Sequence, residues 1–262
     1  LKFDEYGTMD RLTVRQRIHL QHSEPPDDVE TSTLSFAPVA GDSSVLDVGC
    51  GTGTFLARLS APHGARRVLG LDISEAAVAS VAARGIRAVR GDIHQLPFKD
   101  GEFDVVFARH MLDQVARVPD ALRECRRVLK RSGRFVAVVN DAGQAPLLSQ
   151  IIARTVKSHG LIVPAAARPE VDSGNLPAEV ADVFGNVQVN SVSGFLVFPE
   201  PEPLVDFAVS LLTFYGVPVD SAEHPAVCAS LSDEINLAFR RSGSSWRDRK
   251  GYSISVATKK EC

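Results

Sequence analysis

From residue 43 to residue 139, short apolar runs alternate with longer amphipathic stretches. Ser44–Val48, Val68–Leu71, Ile86–Val89, Phe103–Ala108 and Arg134–Val139 read as strands, and the segments between them as helices. This alternation predicts a parallel sheet with helices on both faces. Ser74 is placed to cap a helix running to Ala83, with Gly85 just past its end. Pro119 suits a first helical turn, and Gly133 is expected to terminate a helix over Asp120–Arg131. Upstream, Thr8–Gln21 has helix-compatible residues and a weak apolar stripe, stopped by Pro25-Pro26. Downstream, Leu147, Leu148, Ile151, Ile152 and Val156 recur with helical spacing, ahead of a loop-like stretch ending at Gly174. A short helix near Leu176–Phe184 then precedes a strand-like run at Val187–Phe198. Pro203–Tyr215 and Pro225–Arg241 read as helices, and Tyr252, Ile254 and Val256 alternate as a final strand. The expected organisation is a helical cover over residues 1–42 and an α/β domain over 43–262. That domain carries helical insertions near 143–173 and 203–241.

Composition adds exclusions. With 44% hydrophobic and 23% charged residues, the 262-residue chain can bury a core and is neither disordered nor fibrous. Its formal net charge of −3 leaves no basic surplus for a nucleic-acid backbone, so no nucleic-acid partner is expected. The cations of Arg123–Arg134 read as the exposed face and C-terminal end of one helix. Cys50, Cys125, Cys228 and Cys262 form no CxxC pair and no Cys/His metal spacing, so neither disulfides nor a metal site is expected. No apolar run is long enough to cross a bilayer, and Leu1–Asp10 lacks a signal segment, which predicts a cytoplasmic protein with no membrane partner. The absence of Met at position 1 predicts further residues upstream.

The chemistry concentrates at the end of the first parallel strand. Asp47 is followed by Gly49, Gly51 and Gly53 and then by an apolar helix containing Phe55, Leu56 and Leu59. Such a turn lies at the carboxyl edge of the sheet, where open α/β sheets bind ligands. Glycines let a ligand approach the backbone, and the helix start offers unpaired N–H groups. The second strand ends in Asp72, at the distance where a carboxylate accepts hydrogen bonds from both hydroxyls of a ribose. Gly91-Asp92 follows the third strand, where the carboxylate or neighbouring backbone could read an adenine edge. Thr54 stands where a dinucleotide fingerprint wants glycine, so adenosine without a pyrophosphate fits better.

Val45–Gly53, Leu71-Asp72, Gly91–Phe98 and Phe103–Val106 resemble the ordered motifs of class I methyltransferases dependent on S-adenosylmethionine (SAM). The resemblance is to the small-molecule branch that includes ubiquinone/menaquinone-type and natural-product enzymes. It implies a Rossmann-like, seven-stranded α/β sheet of order 3-2-1-4-5-7-6, with strand seven antiparallel and formed by Tyr252–Thr258. It also implies that Asp47 and the backbone of Gly49, Gly51 and Gly53 hold the methionine part of SAM. Asp72 would hold the ribose, Asp92 and Ile93 the adenine, and Ile73 would pack on the adenine ring. Arg109 would face the methionine end through its backbone.

Methyl transfer from a sulfonium is an in-line displacement, so the main tasks are alignment and exclusion of water. His110, just after the fourth strand, is the candidate general base. His19, His22, Arg11 and Arg15 lie in the N-terminal cover and could enter the site, with an arginine clamping the methionine carboxylate. Tyr6, Phe214 and Tyr215 are candidate acceptor contacts, and Phe207 and Trp246 are further ring surfaces in the expected walls. The expected function is transfer of a methyl group from SAM to O, N or C of a small metabolite, releasing S-adenosylhomocysteine. The Ala-, Arg- and Pro-rich flavour suits bacterial secondary metabolism. The rivals are a SAM-binding regulator without catalysis and a nicotinamide-dependent oxidoreductase.

Overall fold

The computed structural model describes residues 9–60, 67–164 and 171–260. One twisted sheet organises the chain. Its strands are β1 (Ser23–Glu24), β2 (Ser44–Val48), β3 (Arg67–Asp72), β4 (Arg87–Arg90), β5 (Phe103–Arg109), β6 (Leu129–Asn140), β7 (Gln188–Phe198) and β8 (Trp246–Thr258). They lie in the order β4-β3-β2-β5-β6-β8-β7-β1. Strands β2 to β6 pair in parallel, while β8 is antiparallel to both β6 and β7. Leaving β1 aside, the order is 3-2-1-4-5-7-6, as the motifs implied. The eighth strand is an addition: Ser23 and Glu24 pair with Leu196 and Phe195 at an edge that the expected fold leaves open.

Nine helices surround the sheet among the described residues: α1 (Asp10–His22), α2 (Val29–Phe36), α3 (Thr54–Leu59), α4 (Glu75–Ala82), α5 (Val118–Val128), α6 (Pro146–Ser158), α7 (Leu176–Phe184), α8 (Pro201–Leu211) and α9 (His224–Ser242). Ser74 caps α4 by accepting from the Ala77 N–H, and Gly85 adopts φ +73° just beyond it. Helix α2 was not expected. Its apolar stripe is short, and Asp28 starts it by accepting from the Glu30 N–H at 3.0 Å.

The helix expected over Asp120–Arg131 stops at Val128. Leu129 is fully buried and pairs with Phe103, so it serves β6 instead. The register then shifts around Lys130–Gly133, with Ser132 at φ +59°. A Cβ on Gly133 would lie 2.9 Å from the Lys130 carbonyl oxygen, so this glycine permits an irregular strand and does not end a helix. Consequently Arg131 and Arg134 lie on a strand. The final strand is also longer than expected, because Trp246 to Gly251 continue the ladder with β7 beyond the edge of the parallel strands.

Two apolar layers sandwich the sheet. Phe135 and Phe184 stack at 5.2 Å on one face, while Phe55 and Phe107 meet edge to face at 4.9 Å on the other. A third cluster joins Ile18 of α1 to Leu148, Ile152, Leu204, Leu231 and Ile235, so the N-terminal helix shares a core with the late helices. Ile18 is the one side chain of α1 that is fully buried, which accounts for its weak stripe. None of the described helices is long and apolar enough to cross a membrane.

Candidate active site

The turn from β2 into α3 needs its glycines for two reasons. Gly49, Gly51 and Gly53 adopt φ of +70°, +52° and +76°. A Cβ on Gly49 would sit 2.7 Å from Met111 Cγ, and one on Gly53 would sit 2.8 Å from a Val81 methyl. The N–H groups of Gly49 and Cys50 donate to the Leu71 carbonyl, fastening the turn to the end of β3.

Asp47 lies beneath this turn. It is 1% exposed, and neither carboxylate oxygen has a hydrogen-bond donor among the described residues. Arg109 Nε stands 3.7 Å away, and its guanidinium lies flat over the Phe55 ring at 3.6 Å. Burial pushes the Asp47 carboxyl up to about 7, against the opposing pull of Arg109. Arg109 therefore approaches Asp47 through its side chain. A buried carboxylate without donors is suited to a ligand's N–H groups.

Asp72 ties two loops together. One oxygen accepts from Gly51 N at 3.0 Å and the other from Ser74 N at 2.9 Å, while burial holds its carboxyl above the usual range. Each oxygen retains capacity for another donor. Ile73 beside it is 37% exposed, and the Gly91 N–H donates to the Asp72 carbonyl, bringing the 91–95 turn alongside. There Ile93 is buried, and Asp92 accepts from the His94 N–H while its carboxylate meets His94 Nδ1 at 2.7 Å. These bonds hold the Asp92 carboxyl below its ordinary range. Both bonds engage Oδ1, so the other carboxylate oxygen stays open to a ligand at this edge, while the Asp92 carbonyl accepts from the Gln95 N–H.

His110 adopts φ +49°, a left-handed conformation fixed by its N–H bond to the Val138 carbonyl at 2.7 Å. Its ring meets Tyr252 edge-on at 6.2 Å. Burial, then the charges of Arg109 and Lys250, hold the imidazole down to about 4, against a hydrogen bond with Asn140. His19 of α1 is held at about 3 by burial, Lys250 and His110. Both rings are neutral near neutral pH. Behind them Lys250 Nζ donates to Asp27 Oδ2 at 2.9 Å and to Ser23 Oγ at 2.6 Å, and the Tyr252 hydroxyl donates to Asp27 Oδ1 at 2.9 Å. No motif spacing points to Asp27, Lys250 or Tyr252 in the sequence. The alternation visible from Tyr252 to Val256, carried back one step, is the only signal that reaches Lys250.

Helices α1 and α2 cover the glycine turn. Leu12 packs against Gly51, Thr52 Oγ1 donates to Gln16 Oε1 at 3.1 Å, and Thr54 Oγ1 donates to Glu30 Oε1 at 3.0 Å. Leu12, Gln16 and Glu30 were not singled out from the sequence. Arg11 donates to Thr213, and Arg15 donates to the Ser210 carbonyl at 2.8 Å while lying over Phe214 at 5.2 Å. These bonds tie both arginines to the α8 region. Tyr215 packs against the cover core, Phe207 is buried in it, and Trp246 stacks on Phe239. His22 stacks on Phe198. Tyr6 lies outside the described residues.

Residues 46–137 match the family model described as methyltransferase domain. The malonyl-[acyl-carrier protein] O-methyltransferase of Herminiimonas arsenicoxydans is 34% identical over 134 residues, which are 51% of this chain and 51% of that protein. The demethylmenaquinone methyltransferase of a Staphylococcus epidermidis strain is 36% identical over 124 residues, covering 45% of this chain and 52% of the relative. The chain thus spans about half the length of these curated relatives. Among solved structures, the YcgJ protein of Bacillus subtilis superposes with TM-score 0.60 at 20% identity, covering 89% of this chain and 98% of that one. That likeness is one of fold.

Proposed function

We propose, for a chain that belongs to the class I SAM-dependent methyltransferases through its 46–137 domain, that it moves a methyl group from SAM to O, N or C of a small metabolite. The observation that carries this reading is Asp47, a buried carboxylate with no donors, set beneath a turn whose glycines crowd out any side chain. An ammonium-bearing ligand would supply the missing donors. Asp72 would accept from the ribose hydroxyls, Ile73 and the 92–93 backbone would border the adenine, and Arg109 would balance charge at the amino-acid end. Bound SAM supplies an electrophilic methyl group on a sulfonium.

The chain's own work is then alignment, desolvation and one proton transfer. Residues 9–42 would act as the cover over the 43–260 core, since α1 and α2 close the glycine turn with Leu12, Gln16 and Glu30. A ring nitrogen of His110 would take the proton that the acceptor loses. An imidazole held at about 4 is a weak base, yet it suffices, because an attacking hydroxyl or amine becomes strongly acidic as its bond to carbon forms. The demethylmenaquinone methyltransferase is named for a small-molecule acceptor, which supports a small acceptor here, whereas the other relative is named for a malonyl group on a carrier protein. A role in bacterial secondary metabolism is the pathway we favour.

The test is calorimetry with S-adenosylhomocysteine, followed by incubation with methyl-labelled SAM and fractionated metabolite extracts. Binding with label recovered in a small product is expected. Binding with no labelled product in any extract would favour a regulator, and no binding would remove the reading.

A further inference from the structure

Beyond the carboxyl ends of the parallel strands, the β7–β8 ladder and the 141–144 loop enclose a cleft of about 420 Å³, large enough for a small metabolite. Its wall holds three cations, and two are already matched. Lys250 is paired with Asp27, and Arg247 lies 3.3 Å from Glu24 with its guanidinium 4.0 Å above Phe195. Arg249 remains: its side chain is exposed in the cleft and has no hydrogen-bond or ion-pair partner among the described residues.

Asp141, across the same cleft, is the second group left over. Its carboxylate also lacks a partner among the described residues, and no ion pair joins it to Arg249. Space is kept for it. A Cβ on Gly251 would run into Asp141 Oδ2, while the Asp141 N–H is fastened to the Gly251 carbonyl at 2.9 Å. Any side chain at 251 would displace the carboxylate. The cleft therefore presents one unmatched positive charge and one unmatched negative charge, with Phe195 also in its wall.

The cleft adjoins the reacting centre. Gln144 lines it and meets His19 at 3.3 Å, with its Oε1 buried and without a donor. Asp141 directly follows Asn140, the hydrogen-bond partner of His110, and Gly251 directly precedes Tyr252, which edges the same ring.

We propose that this cleft is the acceptor pocket and that it takes a zwitterion, a small amino-acid-type molecule whose carboxylate meets Arg249 and whose ammonium meets Asp141. Its role as acceptor pocket rests on the methyltransferase reading; its charge selectivity does not. Phenylalanine, N-acetylphenylalanine and phenylalaninamide share one body and differ in charge, so they serve as probes for the full chain by saturation-transfer NMR and calorimetry. Phenylalanine is expected to bind at least about tenfold more tightly than either derivative, as loss of one charge-assisted contact implies. Asp141→Asn should abolish its advantage over the N-acetyl form, and Arg249→Gln its advantage over the amide. S-adenosylhomocysteine affinity should stay unchanged in both variants, which also reports that they fold. Equal binding of a singly charged derivative, no saturable binding of phenylalanine, or selectivity unaltered by both substitutions would overturn the proposal. If S-adenosylhomocysteine fails to bind while zwitterion selectivity persists, the methyltransferase reading falls and the pocket stands.

Discussion

Asp47→Asn isolates the energetic cost of the buried carboxylate. The Asp47 carboxyl is raised to about 7 from an ordinary 3.8 because it is buried without donors. A raised folded-state value means that the folded chain binds this proton more tightly than the unfolded chain. The stability it confers is complete below pH 3.8 and is lost as pH rises through about 7. Between pH 5.5 and 8 the loss spans about 1.5 pH units, or about 2 kcal/mol. Asn is nearly isosteric and does not titrate, and His19 and His110 contribute equally to both proteins. Urea denaturation of wild type and variant at the two pH values should therefore show the variant gaining about 2 kcal/mol on the wild type from pH 5.5 to 8. The comparison cancels the fixed cost of the Asn amide. A stability difference equal at both pH values would refute the buried-charge argument. In the same samples at pH 8, S-adenosylhomocysteine should raise the wild-type midpoint strongly and the variant's weakly, since the ligand's ammonium would lose its counter-ion.

Other consequences are equally open to measurement. Asp72→Ala should weaken S-adenosylhomocysteine binding by about 1–3 kcal/mol in calorimetry, through loss of charge-assisted bonds; unchanged affinity in a folded variant would remove the ribose assignment. His110→Ala should lower turnover on the identified acceptor with S-adenosylhomocysteine affinity intact, and normal turnover would dismiss it as the base. For a histidine lowered to about 4 from 6.5, the unfolded chain protonates first, so stability is lost as pH falls from 6.5 towards 4. His110→Gln should flatten that acid limb by about 1.4 kcal/mol per pH unit in denaturation curves, and an unchanged slope would mean the ring is not buried as described. Lys250→Met should destabilise by about 3 kcal/mol by leaving the largely buried Asp27 carboxylate without its counter-ion, with only the Tyr252 and Ser32 hydroxyls still donating to it, and with partial recovery in the double variant carrying Asp27→Asn; additive losses in the double would show that the two groups do not pair.

What could be read in advance was local. The glycines at 49, 51 and 53 announce a turn because each must adopt positive φ, and this requirement lies within a few residues. The strand pattern from Ser44 to Val139 is legible because the central parallel strands, covered on both faces, are mostly apolar. Errors arose where one residue satisfies two patterns. Leu129 continues the apolar face of α5 and also opens β6, and only its pairing with Phe103 decides between them. Gly133 looks like a helix stop but relieves a crowded strand. Contacts between distant positions left no trace: Tyr252 and Asp27 are 225 positions apart and belong to no common spacing.

The parallel strands carry Asp47, the glycine turn and Asp72, and the longer antiparallel ladder lines the cleft beside them. Because β8 runs against β6, its early residues Trp246 to Gly251 project past the edge where Asp47, Asp72 and His110 gather. A parallel strand would end near that edge, as β5 does at Arg109. The antiparallel direction therefore carries Arg247, Arg249 and Lys250 to the cleft. The short β1 pairing then holds Ser23 and Glu24 at the rim, so that Asp27 can reach Lys250 and Tyr252. One buried ion pair thus joins the N-terminal cover to the wall of the cleft. It predicts that loosening the cover at Asp27 will disturb His110 and the cleft before it disturbs the glycine turn, which is fastened separately through Leu71 and Asp72.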